Sequence, residues 1–147
     1  MTYSVKEIFY TLQGEGAHTG RPAVFCRFTG CNFWTGLEKD RETAACTFCD
    51  TDFIGTNGQN GDKFQTVDAL ADKAWSFWPK STTGKPYIVC TGGEPLLQLD
   101  APLIKAFQER GFEVAVETNG SLVAPKELNW ICVSPKDLNQ FLQTTGD

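Results

Sequence analysis

From Thr66 onward the sequence switches between two hydrophobic periods, and that alternation limits the available folds more than any other feature of the chain. Val67, Leu70, Ala71, Ala74, Phe77 and Trp78 recur at the i, i+3, i+4, i+7 spacing of one helical face, with Thr66 as N-cap and Pro79 as stop. The apolar run YIVCT at 87–91 reads as a strand. A second helix is expected from about Asp100 to Arg110, with Leu103, Ile104 and Phe107 inward and Gly111 past its end. FEVAVET at 112–118 and WICVS at 130–134 read as further strands, separated by the turn NGS and a short helical or irregular segment. Upstream, SVKEIFY at 4–10 and PAVFCRF at 22–28 read as strands joined by the turn-rich LQGEGAHTG, and a long loop, 29–63, follows the second. Helices placed between strands imply βαβ units, parallel pairing and right-handed crossovers. The four strands at 22–28, 87–91, 112–118 and 130–134 are too few to close an eight-stranded barrel, so an open partial barrel and a flat doubly wound sheet both fit.

In either architecture ligands gather at the carboxyl ends of parallel strands. Just past those ends lie the long loop, TGGEP at 91–95, ETNG at 117–120 and SPK at 134–136. Four polar segments are therefore expected on one edge of the sheet, an arrangement that a hydrophobic core does not require.

A chain of 147 residues is long enough for one domain with a real core, taken as 1–147. The charged N-terminus MTYSVKEIFY lacks the apolar core of a signal peptide, and no apolar run is long enough to span a bilayer. A cytoplasmic protein without membrane contact is expected. The net charge of −5, with no basic stripe, disfavours direct binding of nucleic acid. Of the six cysteines, Cys26, Cys90 and Cys132 lie in β-branched apolar runs and are expected to be small buried hydrophobes. Disulfides are not expected in that compartment.

Cys31, Cys46 and Cys49 sit together in the polar loop, as CX14CX2C. Cys46 and Cys49 have the spacing at which two thiolates chelate one metal centre, yet no fourth protein ligand is evident. The lone histidine, His18, lies in a glycine-flanked turn and is expected to be solvated. Three thiolates suit an iron-sulfur cube with one open iron, whereas structural zinc takes four ligands. The loop alone leaves both open.

Read together with TGGEP, the loop resembles the cluster site of the radical S-adenosylmethionine superfamily, whose usual spacing is CxxxCxxC. VKEIFYTLQGEG, PAVFCRFTGCN, the CDT after the last cluster cysteine, TGGEP, ETNG and VSPK narrow the resemblance to the 7-carboxy-7-deazaguanine synthase family, over about residues 3–136. Some of its members carry the same expanded loop. The resemblance implies a radical-SAM type α/β fold, a partial open (β/α) barrel of parallel strands. It also implies conversion of 6-carboxy-5,6,7,8-tetrahydropterin to 7-carboxy-7-deazaguanine with loss of ammonia, a step towards queuosine and other 7-deazapurines.

By the same resemblance Cys31, Cys46 and Cys49 hold a 4Fe-4S cluster, and Thr51 is the ligand of a magnesium ion. Phe48, Cys49, Asp50, Gly92, Gly93, Glu94, Ser134, Pro135 and Lys136 are the implied S-adenosylmethionine contacts. The glycines of TGGEP permit close backbone approach, and Glu94 either faces a ligand ammonium or braces the turn. Leu12, Gln13, Gly14, Arg27 and Thr91 are the implied pterin contacts. Arg27 alternates with Phe25 and not with the apolar set Val24, Cys26 and Phe28, and its guanidinium suits a carboxylate. Glu15 and Glu117 are the implied catalytic pair, accepting hydrogen bonds from the aminopyrimidine edge or near the reacting carbon. A reductant such as flavodoxin or ferredoxin and a homodimer complete the implied partners.

The last strand and the tail, 130–147, end in DLNQFLQTTGD, which does not match the family's continuation, so a shortened copy with uncertain turnover is the expectation. Two alternatives accompany the leading reading. One keeps the radical cofactor on another substrate, as in a glycyl-radical activating enzyme, although LQGEG and VSPK argue against it. The other is an inactive or zinc-binding remnant.

Overall fold

The strand patterns assemble into one twisted sheet, seen in a computed structural model that describes residues 2–30, 37, 54–135, 142 and 143. Its strands are β1 (Tyr3–Leu12), β2 (Pro22–Phe28), β3 (Asp62–Phe64), β4 (Tyr87–Thr91), β5 (Glu113–Thr118) and β6 (Trp130–Val133), in the spatial order β3-β1-β2-β4-β5-β6. β2, β4, β5 and β6 pair in parallel, with a helix in the first two crossovers and an irregular segment, 119–129, in the third, while β1 is antiparallel to both its neighbours. β3 was not anticipated. It straddles the end of the region 29–63 assigned to the long loop, and only its Phe64 is buried.

The helices follow their caps. α1 (Val67–Ser76) begins where the Thr66 hydroxyl accepts from Ala69 N at 3.0 Å. α2 (Ala101–Glu109) begins where the Asp100 carboxylate accepts from Leu103 N at 3.1 Å, and Gly111 just beyond it takes φ +105°. Both helices bury their apolar stripes on one face of the sheet, where Leu70, Ala71, Ala74, Leu103, Ile104 and Phe107 meet Val24, Cys26, Ile88, Cys90, Val114 and Val116. The opposite face carries Ala23, Phe25, Tyr87, Val89, Ala115 and Trp130, with no described helix against it. Among the described residues helices cover one face only, as in an open half-barrel; a doubly wound sheet would have them on both.

Strand alternation decides the environment of the cysteines. Cys26 and Cys90 point into the helix-covered core, and burial pushes both thiols well above their usual pKa. Cys132 departs from expectation: it is half-buried on the helix-free face.

The segment 54–61 locks onto β1 at a bulge between Val5 and Glu7. Gly58 N donates to Lys6 O at 2.9 Å, Ile8 N to Gln59 O at 2.8 Å, and Asn60 Nδ2 to Ile8 O at 3.1 Å. The buried Lys6 ammonium donates to Ile54 O and Asn57 Oδ1. A Cβ at Gly61 would stand 2.1 Å from Lys6 O and 2.3 Å from Thr56 O, both backbone atoms with no room to yield. We therefore expect Gly61→Ala to lower unfolding stability by about 2–3 kcal/mol, the overpacking range. A urea titration checks this, and a shift under about 0.5 kcal/mol would mean that the segment adjusts freely.

Candidate active site

At the carboxyl half of the helix-free face, alternation and register bring five side chains into one row across five strands. Glu7 of β1 pairs with Arg27 of β2, Arg27 with Thr91 of β4, and Glu117 of β5 with Cys132 of β6. The β1–β2 connection folds across this row. Gly20 N donates to Gln13 O at 2.6 Å and Gln13 N to Arg21 O at 2.8 Å, and Gln13 becomes buried while Leu12, Gly14 and Glu15 stay exposed.

Glu117 is the centre of this group. Gln13 Nε2 donates to its Oε2 at 3.3 Å, the Thr91 hydroxyl donates to the same carboxylate, and Gln13 Oε1 accepts from Glu15 N at 3.1 Å. Burial first, and then the neighbouring Glu15 charge, raise the Glu117 pKa above the ordinary carboxylate value; Gln13, Thr91 and Arg27 pull the other way. Arg27 is partly engaged within the protein, with Nε on Glu7 Oε1 at 3.0 Å and Nη1 on Gly92 O at 2.7 Å. Its Nη2 has no partner among the described residues.

Past the strand ends, three of the four expected edge segments are hydrogen-bonded together. The fully buried Glu94 carboxylate accepts from Leu96 N at 3.0 Å, Thr118 Oγ1 at 2.7 Å and Asn119 N at 2.7 Å. It braces the TGGEP turn against ETNG. Its N-cap geometry for the 3-10 turn Pro95–Leu97 explains why that short element forms. Ser134 N donates to Thr118 O at 2.8 Å, which brings in the exposed Ser134 and Pro135. Gly92 sits in a tight place where β4 ends, since a Cβ there would lie 3.1 Å from Phe28 O.

The fourth segment is the cysteine loop, which the chain enters at Gly30. Gly30 O accepts from Glu94 N at 2.8 Å, so the residue preceding Cys31 is fixed beside the TGGEP turn. Cys31, Cys46, Phe48, Cys49, Asp50, Thr51 and Lys136 lie outside the described residues. Glu7, Asn119 and Cys132 were not singled out from sequence. Glu7 shares the two-residue period of Arg27's neighbours across the hairpin, a signal visible once the register is known.

His18 is not solvated as expected. Its ring lies 4.5 Å from that of Trp130, edge-on, and 5.6 Å from that of Tyr87, because the connection folds down onto the helix-free face.

An edge of this kind, with glycine turns at strand ends next to a three-cysteine loop, defines a radical S-adenosylmethionine protein, and the Radical SAM superfamily model matches residues 41–141. The 7-carboxy-7-deazaguanine synthase of Burkholderia multivorans is 58% identical over 147 residues, covering 100% of this chain and 70% of that protein. That of Bordetella pertussis is 61% identical over 136 residues, covering 92% and 64%. The crystal structure of QueE from Escherichia coli superposes with a TM-score of 0.69 at 28% identity, covering 95% of this chain and 61% of that one. The chain belongs to the 7-carboxy-7-deazaguanine synthase family.

Proposed function

We propose that the row Gln13, Arg27, Thr91 and Glu117 binds 6-carboxy-5,6,7,8-tetrahydropterin and that this chain catalyses its conversion to 7-carboxy-7-deazaguanine with release of ammonia. The enzyme is then a carbon-nitrogen lyase of queuosine and 7-deazapurine biosynthesis. The observation that carries the reading is the convergence of these side chains on the helix-free face, beside the turn through which the chain enters the cysteine loop.

The described residues fit the family's cofactors. The 91–95 turn leaves little room for a side chain at Gly92, Glu94 braces it, and Glu94 N fixes Gly30 at the mouth of the cysteine loop. Cys31, Cys46 and Cys49 would hold a 4Fe-4S cluster, Thr51 a magnesium ion, and Phe48, Asp50, Gly92, Gly93, Ser134, Pro135 and Lys136 would line the S-adenosylmethionine site. When bound, cluster and S-adenosylmethionine supply hydrogen-atom abstraction, the hard chemistry that the protein only positions.

The chain's own residues do the rest. Arg27 directs Nη2 at the substrate carboxylate while Glu7 and Gly92 O hold its plane. Glu117, oriented by Gln13 and Thr91, accepts from the aminopyrimidine edge or holds a proton near the reacting carbon. Glu15 stands next to it. We place the protein in the cytoplasm, with flavodoxin or ferredoxin as reductant and a second copy as partner. Family resemblance supports these assignments, and no described helix is long and apolar enough to cross a membrane.

The test is anaerobic reconstitution with iron and sulfide, followed by assay with reductant, S-adenosylmethionine, magnesium and the tetrahydropterin. Formation of the deazaguanine is the expected result. Stoichiometric zinc without iron, or no product from a fully reconstituted cluster, would overturn the reading. Cys46→Ala is expected to lose the cluster, read as iron and sulfide content, because one of three protein ligands is gone. A retained cluster would mean that the ligand set is wrong.

A further inference from the structure

We infer that His18 is a positioning residue for this reaction: its ring, clasped by Trp130 of β6 and Tyr87 of β4, holds the Gln13–Glu15 turn down against Glu117. The inference rests on the proposed function for its catalytic meaning, and on geometry alone for the contact it names.

The turn from Gln13 to Arg21 is tied to itself by Gln13 N to Arg21 O, Gly20 N to Gln13 O, Thr19 N to Gly16 O at 3.2 Å and Arg21 N to His18 O at 3.0 Å. Such a closed loop moves as one piece. Besides the Gln13–Glu117 bond, two side chains anchor that piece to the sheet. Arg21 does so at the amino ends of the strands, with its guanidinium 3.9 Å over the Tyr87 ring and paired to Glu113 at 2.6 Å. His18 does so between β4 and β6, and its ring makes only aromatic contacts among the described residues. Two anchors fix the tilt of the piece, where one would leave a hinge. The tilt sets how closely Glu15, beyond the paired Gln13 and Arg21, approaches Glu117, and with it the Gln13 side chain, whose Oε1 accepts from Glu15 N. Gly16, at φ +72°, passes close enough to β6 that a Cβ there would lie 3.8 Å from Cys132 Sγ. Gln13, Glu15, His18, Tyr87, Glu117 and Trp130 line the same small hollow, so a shift at His18 is felt across it.

Removing the ring should lift the turn. The groups facing Glu117 are Glu15 and Gln13 from the turn, Arg27 from β2, Tyr87 and Thr91 from β4 and Cys132 from β6; only the first two move with His18. Burial and Glu15, the two largest influences, both raise the Glu117 pKa and both weaken when the turn lifts, whereas the lost Gln13 bond acts less strongly the other way. The acid limb of the kcat/KM profile should therefore move to lower pH. A residue that only supported folding would leave that limb in place.

The experiment compares wild type, His18→Ala and His18→Phe by hydrogen exchange over residues 12–21 and by pH–rate profiles of the reconstituted enzyme. In His18→Ala, exchange over that stretch should quicken about tenfold, a local opening, while α1 and α2 are unchanged. Turnover should fall about 10- to 100-fold, the scale of a misplacement of about 1 Å, with the acid limb displaced downward. His18→Phe should restore both. Should the alanine variant fail to fold, His18→Gln, which keeps bulk and polarity but not the ring, takes its place. Wild-type exchange in the ring-less variant overturns the inference whether or not the enzyme turns over. Absent wild-type product with quickened exchange overturns only the proposed function.

Discussion

Glu94→Ala should be the most destabilising single substitution in the described part of the chain. The carboxylate is fully buried and accepts from two backbone N–H groups and the Thr118 hydroxyl, and no solvent replaces it. Each buried donor left unpaired costs about 1–3 kcal/mol, and the vacated volume adds a cavity term. Allowing for partial relaxation, we expect a loss of about 3–5 kcal/mol, which for a domain of this size lowers Tm by roughly 10 °C. Glu94→Gln keeps the shape but turns one acceptor into a donor facing other donors, and should lose about half as much. Urea and thermal denaturation read both values, and a loss below about 1 kcal/mol for the alanine variant would show that the network is not what joins TGGEP to ETNG. Activity should vanish with it, since Thr91, Gly92 and Gly93 lead directly into Glu94 and Glu117 lies immediately before Thr118.

That Glu94 braces the turn could not be read from TGGEP. The sequence says that a carboxylate follows two glycines; which way it points depends on Asn119 N and Thr118 Oγ1 from another strand's end. Where local rules suffice, the reading held. Thr66, Asp100 and Gly111 mark the helix ends because caps act within a few residues. The four parallel strands were legible because apolar runs bounded by turn residues have few other uses. β3 was not, since DKF has no period of its own and becomes a strand only by pairing Tyr3 with Phe64 and Val5 with Asp62. The same limit hid His18 and Cys132. Both depend on which face of the sheet lacks helices, and one chain's pattern does not say which face that is.

Glu117→Gln separates function from stability more sharply than any other substitution here. The pKa of Glu117 is raised in the folded chain, mainly by burial and then by Glu15, so the folded state favours the protonated form. The stability this gives is fully present below the ordinary carboxylate pKa and is lost as pH rises through the raised one. Above the ordinary carboxylate range the native state is therefore less stable than it would be with this half-buried carboxyl neutral. Gln removes that charge and keeps the shape, and its amide oxygen still accepts from Gln13 Nε2 and the Thr91 hydroxyl. We expect its Tm at neutral pH to equal or exceed that of the parent, with the difference disappearing as pH falls below the carboxylate range. Product formation should drop about 100-fold or more, the usual contribution of a placed acid or base, and its acid limb should flatten. Anaerobic product assays and thermal scans across pH decide the matter. A Tm below the parent at neutral pH would make Glu117 a structural charge, and parental turnover would remove it from the chemistry; the combination expected here is a site kept at the expense of stability.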